Sequence, residues 1–223
     1  GAMSKYSDDS INFRLDNFNV GIFNFFLNKS FNFQGYFSGN GIVSDLYRAP
    51  KVFFDITGND VSVYGNDVGS LKMMSKWNDV DKELNLYLKS SLNKRRTFLA
   101  TGYFKPETSW LNLNASLEDL SVSYFEPFLA DIISKSSGSM SGDLSLSGTL
   151  DKLALTGSDC RFNKLGFLLN FTQVPYTIDG PFELTEKGIF FKNLPLYDRF
   201  GSKGIINGKL GYDYFRDLTL DTR

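Results

Sequence analysis

Leu84-Asn85-Leu86-Tyr87-Leu88-Lys89 decides the fold class, because leucine falls at every second position with polar or amphipathic residues between. An extended strand sends alternate side chains to opposite faces, so this stretch predicts a strand with one apolar and one wet face. The period extends outward in both directions. Leu111 and Leu113 alternate with Asn112 and Asn114, and Leu144 and Leu146 with Ser145 and Ser147. Phe13 with Leu15, Phe31 with Phe33, Val61 with Val63, Leu153 with Leu155 and Leu218 with Leu220 repeat the pattern. Turn signals at Ser38-Gly39-Asn40-Gly41, Thr57-Gly58-Asn59-Asp60, Gly65-Asn66-Asp67 and Leu150-Asp151-Lys152 separate the runs. Connections this short predict antiparallel neighbours.

One segment departs from period two. From Ser123 to Ile133 the apolar residues fall at Tyr124, Phe125, Phe128, Leu129, Ile132 and Ile133. That spacing predicts one short helix around residues 124–135, with Ser123 and Glu126 as a capping box and Pro127 in its first turn. Ser136-Ser137-Gly138-Ser139 returns the chain to strands. The organisation read from this is a cloning scar at 1–3, β structure over 4–122, the helical segment over 123–137 and β structure again over 138–223. Glycine-marked strands followed by a turn and an alternating strand recur at Gly102, Gly148 and Gly208. Their unequal spacing argues for a serial meander and against a fixed-period solenoid.

Composition narrows function. The 223 residues carry 24 Lys+Arg against 25 Asp+Glu, a formal charge of −1, so no strong overall field draws the chain to nucleic acid or to anionic lipid. There is no histidine and one cysteine, which removes the usual general base, His-containing zinc sites and any internal disulfide. No enzymatic activity, cofactor or metal site is expected. Twenty-two Phe, 11 Tyr and 2 Trp make the chain 16% aromatic, a large apolar content for its size. No apolar run approaches the roughly 20 residues of a spanning helix.

Isolated motifs carry little chemistry. Asn78-Asp79-Val80-Asp81-Lys82-Glu83 lacks the glycine and spacing of a calcium loop and reads as a solvated turn. Lys94-Arg95-Arg96 reads as a hairpin loop, with no wider basic stripe around it. Cys160 alternates with Phe162 and reads as a small buried hydrophobe. Asn-x-Ser/Thr triplets begin at Asn28, Asn114 and Asn170 and matter only in a secreted eukaryotic setting. Phe23-Asn24-Phe25-Phe26 reads as core, since a base-stacking platform would need positive charge beside it.

The pattern is mainly β and leaves two architectures open. A closed β-sandwich covers one apolar face with another about 10 Å away. A long antiparallel sheet that curls over itself leaves a greasy trough, and glycines within strand patterns, as at Gly35, Gly102, Gly148, Gly157, Gly204 and Gly208, permit the bends. Pattern alone leans towards the sandwich.

Residues 117–223 resemble the β-rich repeats of TamB-like proteins of Gram-negative bacteria, within the AsmA-like group. The matching order is Tyr124-Phe125-Glu126-Pro127-Phe128-Leu129, then Gly138-Ser139-Met140-Ser141-Gly142-Asp143-Leu144-Ser145-Leu146-Ser147-Gly148-Thr149-Leu150 and Leu153-Ala154-Leu155-Thr156-Gly157-Ser158. It closes with Ile189-Phe190-Phe191-Lys192-Asn193-Leu194-Pro195-Leu196-Tyr197-Asp198 and Gly201-Ser202-Lys203-Gly204-Ile205-Ile206-Asn207-Gly208-Lys209-Leu210. Where the family often places a histidine, this chain has Gly211-Tyr212. The resemblance implies a U-shaped, β-taco-like trough and a periplasmic parent anchored in the inner membrane by an N-terminal helix. It also implies pairing with an Omp85-type outer-membrane barrel (TamA-like). Two roles follow from it: shielding phospholipid acyl chains in transit between the membranes, or assisting assembly of outer-membrane barrels and autotransporters through sheet-edge pairing. The lining expected under the first role is the face carrying Leu84, Leu86, Leu88, Leu111, Leu113, Leu144, Leu146, Leu153, Leu155, Phe167, Leu169, Phe171, Phe182 and Leu184. A sugar-binding sandwich is a third reading, weakened by the lack of clustered Trp or paired acids.

Overall fold

The alternating stretches form strands in a computed structural model, which describes residues 10–25, 32–45, 51–212 and 218–222. In chain order they are β1 (Ser10–Asn19), β2 (Phe33–Ser44), β3 (Lys51–Val63), β4 (Asn66–Asn78), β5 (Glu83–Leu92), β6 (Arg95–Lys105) and β7 (Trp110–Ser121). They continue as β8 (Ile133–Thr149), β9 (Lys152–Leu169), β10 (Val174–Pro181), β11 (Glu183–Thr185), β12 (Gly188–Asp198), β13 (Lys203–Tyr212) and β14 (Leu218–Thr222). One antiparallel sheet takes them all. Sequential strands are neighbours from β1 to β10, followed by β12, β13 and β14, while β10 and β11 both lie between β9 and β12. The described strands form a single sheet that is not a closed barrel.

The chain divides into two compact units, Gly1–Leu113 and Asn114–Arg223. The division falls inside β7 and not at the helical segment, which belongs to the second unit. That segment is a 3-10 helix, Val122–Phe128, shorter than the sequence predicts, and the chain is already in β8 at Ile133. Pro127 lies inside it and not in an α-helical first turn. It supplies no N–H and disfavours α geometry at the residue before it, so an α-helix does not propagate. Ser121 is the N-cap, accepting from the Ser123 N–H at 3.4 Å. Glu126 makes no capping box and reaches forward, accepting from the backbone N–H groups of Lys135 at 3.2 Å and Ser136 at 2.6 Å and from the Ser136 hydroxyl.

Long strands keep one face apolar by means of bulges. In β1 the register against β2 shifts between Leu15 and Phe18, with Asn17 at φ 48°. In β12 it shifts between Phe191 and Leu194, with Asn193 at φ 51°. Each bulge restores the apolar side chain to the face it would otherwise leave. The displaced N–H groups find side-chain acceptors on the next strand: Asn17 donates to Ser38 Oγ at 2.9 Å, Asp119 to Ser141 Oγ at 3.1 Å and Asn193 to Asn207 Oδ1 at 2.8 Å. Glycines serve a different end. Phe13 lies opposite Gly41 and Phe37 opposite Gly58, and a Cβ on either glycine would stand within 3 Å of the facing ring. The aromatic rings lie across the glycines and cover their backbone.

Candidate functional site

In the first unit the register assembles one continuous apolar face. Leu84, Leu86 and Leu88 of β5 stand opposite Trp77, Ser75 and Met73 of β4 on one side, and Phe104, Gly102 and Ala100 of β6 on the other. Ser75 and Met73 in turn face Phe54 and Ile56 of β3, which face Gly41 and Gly39 of β2, which face Phe13 and Leu15 of β1. Directly opposed residues in antiparallel strands share a face, so no Asp, Glu, Lys or Arg occurs at these positions across six strands. The reverse face carries Arg14, Asp55, Lys72, Lys76 and Lys89, with Asp55 and Lys72 paired.

Two serines interrupt the grease, and both are satisfied from within. Ser75 Oγ donates to the Val52 carbonyl and accepts from the Phe54 N–H, each at 3.2 Å. Ser90 Oγ lies 2.9 Å from the Val68 carbonyl and 3.0 Å from Thr97 Oγ1. Neither offers a guest a spare hydrogen bond. Cover over this face is uneven. The 3-10 helix Val20–Phe25 closes over the β1–β3 end, where Val20, Phe37 and Val61 are buried together and Asn24 clasps the Phe33 backbone at 2.8 and 3.0 Å. Over β4–β6 the side chains Trp77, Leu84, Leu86, Leu88, Phe98 and Phe104 are only half-buried.

The second unit builds its apolar face into a core. Val122, Cys160, Phe162, Leu165, Ile178, Phe182, Leu184 and Leu194 are buried together, with Phe162 and Phe182 stacked at 4.1 Å. Leu144, Leu155 and Phe167 pack against that cluster half-buried. Leu146 stands opposite Leu155, Leu153 opposite Gly148 and Leu169 opposite Val174 and Ile133. Of the expected lining, Leu84, Leu86 and Leu88 thus share one face in the first unit, and the residues from Leu144 to Leu184 gather in the second. Leu111 and Leu113 are half-buried in β7. Phe182 and Leu184 are core side chains and not an accessible lining. Phe171 is a correction: it sits in the turn 170–173 at 95% exposure, outside any strand, so alternation does not place it on a face.

Polar groups are spent on structure. Asp79 accepts from Lys51 at 2.7 Å and from the Trp77 indole at 3.1 Å, and these hold its pKa below the ordinary value. Asp81 accepts from Asn78 at 2.7 Å, and Glu83 pairs with Lys105 at 3.6 Å. The acidic cluster is a turn with its own donors, and among the described residues no group of His, Cys, Asp and Glu is placed to hold a metal. Burial pushes the Cys160 thiol up, with Asp143 and Asp159 adding to the shift. Burial tends to raise Glu126, but the Ser136 and Lys135 donors outweigh it and hold the carboxyl below its ordinary value. Asp198 is held low by the backbone N–H groups of Ser202 and Phe200. Of the triplet asparagines, Asn170 is structural, accepting from Ser134 Oγ at 2.6 Å and donating to the Ala130 carbonyl at 2.7 Å; Asn28 and Phe26 lie outside the described residues.

Met73, Trp77, Phe98 and Phe104 belong to the β4–β6 face although sequence reading misses them. Apolar residues also occupy the reverse face, as at Met74 and Leu99, and hide the alternation in β4 and β6. Comparison of the chain with protein-family models, with curated proteins and with solved structures finds no match.

Proposed function

We propose that this chain is a segment of a lipid conduit that shields phospholipid acyl chains in passage between the inner and outer membranes of a Gram-negative envelope, as its resemblance to TamB-like proteins implies. The observation that carries the reading is the half-buried apolar face of β4–β6, uncharged from Leu84 to Ser90, with its serines already satisfied. A guest suited to it brings hydrocarbon and asks for no hydrogen bonds. Each CH₂ left in water costs about 0.8 kcal/mol, so roughly a dozen methylenes cost on the order of 10 kcal/mol. A lining of Leu, Met, Phe and Trp offsets that cost without a polar anchor that would trap the tail.

Mass spectrometry of the purified chain tests the reading. Copurified phospholipid is expected in stoichiometric amount, and Leu86→Asp is expected to reduce it severalfold while the circular dichroism spectrum stays that of a β protein. A folded chain that carries no lipid and captures none from vesicles would remove the proposal. The strand-assembly role draws on a different feature. Among the described residues β1 has β2 as its one neighbour, so its outer backbone edge is available to pair with an incoming strand. Capture of a barrel-derived β-peptide that is insensitive to Leu86→Asp would favour that role instead.

A further inference from the structure

Beyond Ser90 the pairing of β5 with β6 changes register. Ser90 lies opposite Phe98, but Ser91 lies opposite Arg96 and Leu92 opposite Arg95. Thr97 is the extra residue of this bulge, and its hydroxyl is fixed 3.0 Å from that of Ser90. Without the bulge, alternation from Phe98 would put Arg96 on the apolar face. With it, Arg95 shares the face of Leu92, Ser90 and Leu88. Asn93 and Lys94 have φ of 51° and 65°, the all-positive geometry of a tight two-residue hairpin turn. Arg95 is therefore held at the end of an apolar lane by a short, well-defined loop. It is exposed, and among the described residues no ion pair or hydrogen bond engages it.

The two ends of the lane differ in charge. At the Leu84 end the turn carries Asp79, Asp81 and Glu83 around Lys82, with Asp79 paired to Lys51 and Glu83 to Lys105, so the charges there largely cancel. At the Leu92 end it carries Lys94 and Arg95, with Arg96 on the reverse face. On β4, two strands away in the sheet, Asp67 accepts from the Gly69 N–H at 2.8 Å. From Leu84 to Leu92 the lane runs roughly 26 Å at the usual strand rise. An acyl chain in one bilayer leaflet occupies about 15 Å, half of the hydrocarbon core, so it fits along the strands with length to spare.

We propose that the β4–β6 face takes acyl lipids with an anionic headgroup, the tail laid along the strands and the headgroup held at the Lys94–Arg95 end. This rests on the lipid-binding reading above and adds to it an orientation and a headgroup charge. The exposed cations at one end, against a turn at the other whose charges are internally paired, favour one direction of insertion. Transfer from strand to strand then moves the tail sideways, with the headgroup outside the apolar lane.

Pyrene-labelled hexadecanoic acid and its methyl ester share a tail and differ in charge, and their fluorescence on titration with the full chain tests the assignment. At low ionic strength the acid is expected to bind about fivefold more tightly than the ester, a preference that shrinks as salt is added. Arg95→Glu is expected to remove that preference and leave ester binding within about twofold of the original, while Lys82→Glu changes neither. Retention of the full preference in folded Arg95→Glu overturns the headgroup assignment and leaves tail binding intact. Failure of the unmodified chain to bind either probe overturns the lipid reading, and the headgroup assignment with it.

Discussion

In the second unit Leu194 is 1% exposed and Phe162 stacks on Phe182, whereas in the first unit Leu84, Leu86 and Leu88 stay half-buried beside serines that make all their bonds to neighbouring strands. Both faces arise from the same alternation in the same kind of antiparallel meander. What differs is what the face meets. In the second unit the bulges of β9 and β12 and the inward Phe182 bring large side chains from adjacent strands together, and Val122 adds cover from the 3-10 helix. In the first unit, among the described residues, such cover lies at the β1–β3 end, from Val20. One unit spends its apolar face on its own stability, and the other leaves part of it half-buried, the part that the proposed function gives to a guest.

The largest expected effect tests that division by truncation. Leu194→Ala should cost about 2–5 kcal/mol, the range for emptying a packed core site. Leu86→Ala should cost about 1 kcal/mol or less, because a half-buried leucine gives up less area and leaves no enclosed cavity. Urea denaturation of both variants measures the contrast, and equal losses would break it.

A smaller effect concerns the clasp that ties the 3-10 helix to β8. The Glu126 carboxyl is held below its ordinary pKa, so its contribution is complete above the unfolded-state value and is lost as pH falls through the lower folded value. Glu126→Gln should cost about 1 kcal/mol near neutral pH, allowing for solvent screening of a partly exposed group. That difference should vanish at a pH low enough to protonate the wild-type carboxyl as well. Paired denaturation curves at the two pH values give the comparison, and a difference that grows on acidification would contradict the assignment. The smallest effect belongs to Phe171→Ser, expected within about 0.5 kcal/mol of the original because the ring touches no core.

The sheet was legible in the sequence wherever alternation was clean. Leu84-Asn85-Leu86-Tyr87-Leu88 and Leu144-Ser145-Leu146 fall on strands with leucines sharing a face, and the short polar turns do connect antiparallel neighbours. Bulges limited the reading, since one extra residue reverses parity for everything beyond it. Thr97 gives Arg95 the apolar side, and Asn193 returns Leu194 to the core, though neither residue carries a signal that alternation can detect. Apolar spacing extends past Pro127 and predicts a longer helix, while backbone chemistry ends it at Phe128. Continuing the parity of Phe167 and Leu169 puts Phe171 on the lining, but Phe171 lies in a turn, where parity has no meaning. The distinction between a filled and an open face was not legible at all, because it depends on which strands bring cover.

Trp77 lies on the open face opposite Leu84, which makes it a reporter of the central claim. In a Trp110→Phe background it is the only tryptophan, and its fluorescence can be titrated with a phospholipid brominated along its acyl chains. Saturable quenching by the brominated lipid, absent with the unbrominated one and lost in Leu86→Asp, is the result expected. Unquenched Trp77 emission in a folded chain at saturating lipid would contradict a face kept open for hydrocarbon.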